Sequence, residues 1–234
     1  LAFGNDGLRF LLKDMSFTVN GITYDHNTVV SRVENGNQNQ NNSKDSRWLS
    51  QTEMDEIINA AQAKGIEIVP LLNLPGHTNA ILDIFEDQYN ASGSQNTFDV
   101  TNQAGLNAAK EVFKKYVDYF AVKGCKFFNF GADEYANDAT GGSFSRLSST
   151  DYGKFVDFIN GMATYIKQHG MTPRAFNDGL YYGQYNSVDI DTKIQCCYWS
   201  SGWGGYNVAS ASTIAGKGHA MINTNGDFYY VLGK

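Results

Sequence analysis

Lys126-Phe127-Phe128-Asn129-Phe130-Gly131-Ala132-Asp133-Glu134-Tyr135 is the stretch on which the reading of this chain turns. It starts as a short, aromatic-rich apolar run, the pattern of a strand buried on both faces of a parallel sheet. It ends in Gly-Ala and two adjacent carboxylates, and the carboxyl end of a central strand is where β/α proteins collect their catalytic groups. Adjacent acids repel, and desolvation at such a mouth raises the pKa of at least one of them. An acid that keeps its proton beside one that stays ionised is a working acid/base arrangement. The plainer reading of an isolated Asp-Glu pair is that Asp133 caps the next segment while Glu134 is solvated, so the rest of the chain has to decide.

Outward from that strand, one unit recurs: helix, glycine, apolar strand, polar tip. Upstream, Ser50-Gln51-Thr52-Glu53 is a capping box that opens a helix with Met54, Ile57, Ile58 and Ala61 at helical spacing, closed by Lys64-Gly65. Ile66 to Leu72 reads as a strand and leads into Asn73-Leu74-Pro75-Gly76-His77. A long amphipathic helix over Thr101–Ala121 precedes the Asp-Glu strand. Downstream, Asp151–His169 is helical, and Arg174-Ala175-Phe176-Asn177-Asp178-Gly179 is another strand end bearing polar groups. Lys193–Trp199 is the next strand, followed by a Gly/Trp loop through Trp203. A helix is expected over Tyr206–Lys217, and a final strand over Ala220–Asn225. Alternating strands and helices require a parallel sheet. Polar tips after each strand favour a (β/α) barrel, in which they converge on one mouth, over a doubly wound sheet. About six strands are expected. Residues 34–47, nearly all polar, read as a loop insertion.

Composition fits one α/β domain over residues 1–234: 42% hydrophobic, 18% charged, with 24 Gly and only 3 Pro. Aromatics reach 14%, side chains suited to stacking on flat apolar ligand faces. A net charge of −6 without a basic run argues against nucleic acid or an anionic membrane as partner. No apolar stretch approaches the ~20 residues of a membrane span. No signal peptide is read at Leu1, and the abrupt start is that of a segment cut from a longer polypeptide. Cys125, Cys196 and Cys197 are expected as buried small side chains, since no Cys/His metal spacing accompanies them. No Gly-x-Gly-x-x-Gly or Walker-type loop follows a strand, which removes the nucleotide readings. Two sequons, Asn41-Asn42-Ser43 and Asn90-Ala91-Ser92, are of a kind that also arises by chance. His26, His169 and His219 read as solvated.

Four pieces in order resemble the β-N-acetylhexosaminidases of glycoside hydrolase family 20. These are the Gly131-Ala132-Asp133-Glu134 signature, the Pro75-Gly76-His77 turn, the aromatic strand tip at Trp199, and Asp227-Phe228-Tyr229-Tyr230. Gly4-Asn5-Asp6-Gly7-Leu8-Arg9-Phe10 and Phe176-Asn177-Asp178-Gly179 look most similar to the cell-surface enzymes of streptococci and related Gram-positive bacteria. The usual histidine of the signature is replaced by Asn129 or Phe130, depending on strand register.

The resemblance implies a (β/α)8 barrel, of which this chain covers about strands 2 to 7. A first strand with a sugar-gripping arginine would precede Leu1, and an eighth with a tryptophan and an acid would follow Lys234. An open barrel would expose strand edges. The resemblance also implies a retaining hydrolase without an enzyme nucleophile, one of the exceptions to the two-carboxylate scheme. The 2-acetamido carbonyl of the substrate attacks the anomeric carbon and forms an oxazolinium ion. Glu134 would be the general acid and then the base, and Asp133 would orient the acetamido N–H. His77 would sit beside Glu134 and bias its proton, with Asp6 as a partner for the imidazole. Tyr229 would donate to the acetamido oxygen, with Tyr230 as the alternative if the register slips by one. Trp199 would wall the pocket, Asn177 and Asp178 would face it, and Trp203, Tyr181 and Tyr182 would either stack on sugar or simply pack. No cofactor or metal is implied. The expected partner is a glycan with a terminal N-acetylhexosamine, and the expected place is a secreted or cell-wall-anchored position. A lacto-N-biosidase of the same family and a non-catalytic carbohydrate-binding barrel are the alternatives. Side chains of neighbours in a strand point oppositely, so both acids can serve one substrate only if the backbone breaks at Gly131-Ala132.

Overall fold

A computed structural model describes residues 8, 10–35, 49–139, 147–182, 187–203 and 206–225. Asp6, Tyr229, Tyr230 and most of the polar stretch 34–47 lie outside the described residues.

The chain is an α/β protein. An antiparallel hairpin, β1 (Phe17–Val19) and β2 (Ile22–Tyr24), leads into α1 (His26–Asn35). There follow α2 (Gln51–Ala63), β3 (Leu71–Leu74), α3 (Asn79–Ile84), α4 (Gln103–Val122), β4 (Phe127–Gly131) and α5 (Tyr135–Ala139). Then come α6 (Ser149–Gln168), β5 (Thr172–Phe176), a 3-10 turn at Asn177–Gly179, β6 (Gln195–Tyr198), α7 (Ala211–Gly216) and β7 (Met221–Asn223). Strands β3 to β7 form one five-stranded parallel sheet in chain order, with Phe127 opposite Thr172, Arg174 opposite Gln195 and Cys196 opposite Met221. Among the described residues the sheet thus has five parallel strands rather than six. The apolar start of the chain contributes one parallel bridge, Phe10 to Leu49.

Local chemistry explains the elements. The capping box forms as expected: Ser50 Oγ accepts from the Glu53 N–H at 3.2 Å, and Glu53 Oε2 accepts from the Ser50 N–H at 2.7 Å. Asn102 and Ser148 cap α4 and α6 in the same way through the N–H groups of Gly105 and Asp151. Phe128 is fully buried against Phe113 and Phe120 of α4, with ring centroids 5.5 and 6.1 Å apart, and α6 packs on β5. The three cysteines are free and buried.

Three elements differ from expectation. The hairpin, not among the expected elements, turns at Asn20 and Gly21, both left-handed (φ 53° and 78°), and Asn-Gly between alternating segments is a strong hairpin signal. Strand β3 is shorter than the apolar run: it registers against β4 only from Leu71, opposite Asn129, to Leu74, opposite Gly131, and Ile66 before it is half exposed. Helix α7 starts only at Ala211, where Ser210 accepts from the Thr213 N–H. Tyr206 is instead drawn into the loop next to Asp178.

Candidate active site

The tips of β3, β4, β5 and β6 carry the polar groups. After β4 the backbone leaves strand geometry at once: Gly131, Ala132 and Glu134 all have positive φ (72°, 65° and 52°). A non-glycine residue in that region is strained, and such strain gathers at functional sites. This break turns both acids to the same side. At the tip of β3, His77, itself left-handed at φ 54°, brings Nε2 to 3.0 Å from Glu134 Oε2 and 3.5 Å from Asp133 Oδ2.

Close backbone approach holds the tips together, and two glycines permit it. A Cβ on Gly131 would lie 1.9 Å from Asn73 Oδ1, and a Cβ on Gly179 would lie 2.2 Å from the Ala132 carbonyl oxygen. Neither contact is physically possible, so these two positions set how near β3 and the β5 turn come to β4. Asn73 was not foreseen, and only the Gly131 requirement hints at it.

Electrostatically the two acids are unequal. Asp133 is 7% exposed, whereas the Glu134 side chain keeps 27%. Burial pushes the Asp133 pKa up to about 7; His77 pulls it down, and the charges of Asp178 and Glu134 add to the rise. Asp133 Oδ1 is buried and has no hydrogen-bond partner among the described residues. An empty acceptor of this kind costs stability unless something else fills it. The ligand-type atoms of His77, Asp133 and Glu134 lie within 4.8 Å of one another, so this trio could also bridge a divalent cation.

Asn177 and Asp178, expected to face the substrate, lie beneath the mouth. Both are 0% exposed, and their side chains are engaged within the protein. Asn177 Oδ1 accepts from the Trp199 N–H at 2.8 Å and Nδ2 donates to the Ser200 carbonyl at 2.7 Å, which ties the β5 and β6 tips together. Asp178 Oδ1 accepts from Trp199 Nε1 at 2.6 Å, and Oδ2 accepts from the Glu134 N–H at 2.6 Å and the Tyr206 hydroxyl at 2.7 Å. Burial raises the Asp178 pKa, against the pull of these donors. Tyr206 escaped the sequence reading, although its place in the glycine-rich loop after two tryptophans was a signal.

Trp199 is half-buried beside Trp203, with centroids 5.6 Å apart, and Trp203 in turn packs on Tyr206 at 4.4 Å while 37% exposed. Trp203 can therefore present a face to a ligand. Tyr181 and Tyr182 cannot: they are 2% and 4% exposed. His219, expected to be solvated, is also buried. Its Nδ1 lies 2.8 Å from the Ile194 carbonyl, which can only accept, so Nδ1 carries the proton. Nε2 then accepts from the Tyr181 hydroxyl at 2.7 Å. Segments of the chain that pack around them in space, not the loop sequence, decide these burials. No helix of the described residues is long and apolar enough to cross a membrane.

Residues 14–232 match the family described as glycosyl hydrolase family 20, catalytic domain. A solved structure from the tandem catalytic modules of the pneumococcal exo-β-D-N-acetylglucosaminidase StrH is similar at TM-score 0.90 and 42% identity, over 99% of this chain and 58% of that one. Dispersin B shares the fold at TM-score 0.64 and 22% identity, over 80% of this chain and 56% of that one. A lacto-N-biosidase of Bifidobacterium bifidum is 27% identical over 189 residues, 74% of this chain and 16% of that protein. The chain thus spans only part of each of these relatives. The family match over nearly the whole chain, together with the acid pair at the β4 tip, places this chain in glycosyl hydrolase family 20, as part of the catalytic domain.

Proposed function

We propose that this chain is the larger part of the catalytic domain of an exo-acting β-N-acetylhexosaminidase, which removes terminal β-linked N-acetylglucosamine or a related sugar from glycans with retention. Its five parallel strands would form an arc of a (β/α)8 barrel, and residues 1–234 would be one piece of that domain. The observation that carries the reading is the shared approach of Asp133 and Glu134 to His77 Nε2, with Asp133 Oδ1 buried and without a partner among the described residues.

That geometry suits substrate-assisted chemistry. Asp133 Oδ1 has no donor among the described residues, so the arrival of an acetamido N–H would satisfy a buried acceptor and align the carbonyl oxygen for attack on the anomeric carbon. Positive charge then spreads over the acetamido group and is stabilised by the Asp133 carboxylate in a site with little water. Glu134, the more accessible acid, gives its proton to the leaving oxygen and later takes one from water. His77 bonds Glu134 Oε2 and so holds the carboxyl in place for both steps. Trp199 and Trp203 supply aromatic faces, and Tyr229 or Tyr230 would donate to the acetamido oxygen. By resemblance to the pneumococcal enzyme, the protein would act outside the cell or on its surface.

Hydrolysis of a chromogenic β-N-acetylglucosaminide by the full-length protein is the direct test. Glu134→Gln should lower kcat at least 100-fold, the scale of a lost general acid, and a thiazoline analogue of the oxazolinium ion should bind far more tightly than the sugar. An active Glu134→Gln protein would refute the assignment. The similarity to a lacto-N-biosidase supports one second reading, a pocket that takes a disaccharide. Turnover of the lacto-N-bioside in preference to the monosaccharide substrate would favour it.

A further inference from the structure

The geometry points to Asp178 as the positioning residue of this site: a fully buried carboxylate that fixes the general acid and the aromatic wall relative to each other without touching the substrate. The inference rests on the function proposed above and assigns Asp178 a different task from sugar contact. Its two oxygens divide the work. Oδ1 receives the Trp199 indole N–H at 2.6 Å, and Oδ2 receives the Glu134 backbone N–H at 2.6 Å together with the Tyr206 hydroxyl at 2.7 Å. The Glu134 N–H belongs to a left-handed residue (φ 52°), a conformation that needs external support. Asp178 supplies it from the β5 turn, and the contact between Gly179 and the Ala132 carbonyl keeps that turn within reach.

Only a carboxylate can do this. An indole and a backbone amide are donors with no acceptor capacity. Both oxygens of residue 178 must therefore accept. An asparagine has one acceptor oxygen and one NH2, so in either orientation its NH2 faces an N–H, at Trp199 or at Glu134. One of the two tethers must break, and either break displaces a group from the reacting sugar. Misplacement by about 1 Å costs on the order of 100-fold in rate.

The same carboxylate acts on Asp133 through charge. Asp133 is faced by His77 from the β3 loop, by Glu134 from its own loop, by Asp178 from the 3-10 turn, and by the Tyr206 hydroxyl from the loop after β6. Asp178 raises the proton affinity of Asp133, so loss of its charge moves the ionisation of Asp133 to lower pH.

The test measures Asp178→Asn in the full-length protein with a chromogenic β-N-acetylglucosaminide. The expected result is a kcat loss on the order of 100-fold with a KM change of about threefold or less, together with an acid limb of the kcat profile shifted to lower pH. A merely structural residue would lower the folded fraction and leave that limb in place. If Asp178→Asn fails to fold, Tyr206→Phe removes one donor from Oδ2 without creating a clash, and kcat should fall about three- to tenfold, the value of one hydrogen bond. Wild-type kcat in either variant, or an unmoved acid limb in Asp178→Asn, overturns the inference. An inert wild-type protein overturns this inference and the function beneath it. An active wild type with an indifferent Asp178→Asn overturns this inference alone.

Discussion

Asp133→Asn should make the protein more stable at neutral pH while abolishing its activity. The unfolded chain releases the Asp133 proton near pH 3.8, whereas the folded protein holds it to about 7. Between those values the folded state binds more protons than the unfolded state, so stability falls as pH rises. The contribution is fully present below pH 4 and is lost as pH climbs through 7. Each unit of difference corresponds to about 1.4 kcal/mol, so roughly three units amount to about 4 kcal/mol. Asparagine does not ionise and escapes this loss. Urea denaturation of both proteins, followed by intrinsic fluorescence from pH 4 to pH 8, measures the gap directly. The stability of the variant relative to wild type should rise across that range by about 4 kcal/mol, nearly all of it between pH 4 and 7. Groups that titrate alike in both proteins cancel in the difference. A gap that stays constant across the range would refute the claim that burial raises the pKa of Asp133. The same variant should lose catalysis, since an amide cannot stabilise the positive charge on the acetamido group.

Two further substitutions probe the scaffold. Gly131→Ala forces a left-handed φ of 72° on a side chain and drives Cβ to 1.9 Å from Asn73 Oδ1; strain and overpacking together should cost about 2–4 kcal/mol. Calorimetry should show the melting temperature down by roughly 4–15 °C, and an unchanged value would show that the β3 and β4 tips are not in tight contact. Tyr181→Phe leaves His219 Nε2 buried without its donor, which should cost about 1–3 kcal/mol. Chemical denaturation checks this, with catalysis per folded molecule expected to hold.

Much of the fold was legible because its signals are local. The capping box at Ser50, the helix-closing glycines at Gly65, Gly124 and Gly170, and the aromatic run before Gly131 act through residues near them in sequence. Each could therefore be read without knowing the rest of the chain. The boundaries that failed were set by distant partners. The strand after Ile66 is limited to the residues that register against β4 between Asn129 and Gly131, and Tyr206 is held in a loop by Asp178, 28 positions earlier.

The candidate site divides in the same way. Sequence alone determined which groups stand at the strand tips: Pro75-Gly76-His77, Asp133-Glu134, Asn177-Asp178 and Trp199 are fixed by strand ends and need no coordinates. Only the tertiary structure decided what each group does. It showed that three left-handed residues at 131, 132 and 134 bring two neighbouring acids to one imidazole. It put Asp178 under the site rather than on it, and it buried His219 and Tyr181 against each other. The physical reason is that burial, charge coupling and hydrogen-bond satisfaction are properties of neighbours in space. Those neighbours come from segments far apart in the chain: Glu134 meets Asp178 across 44 positions, and Tyr181 meets His219 across 38.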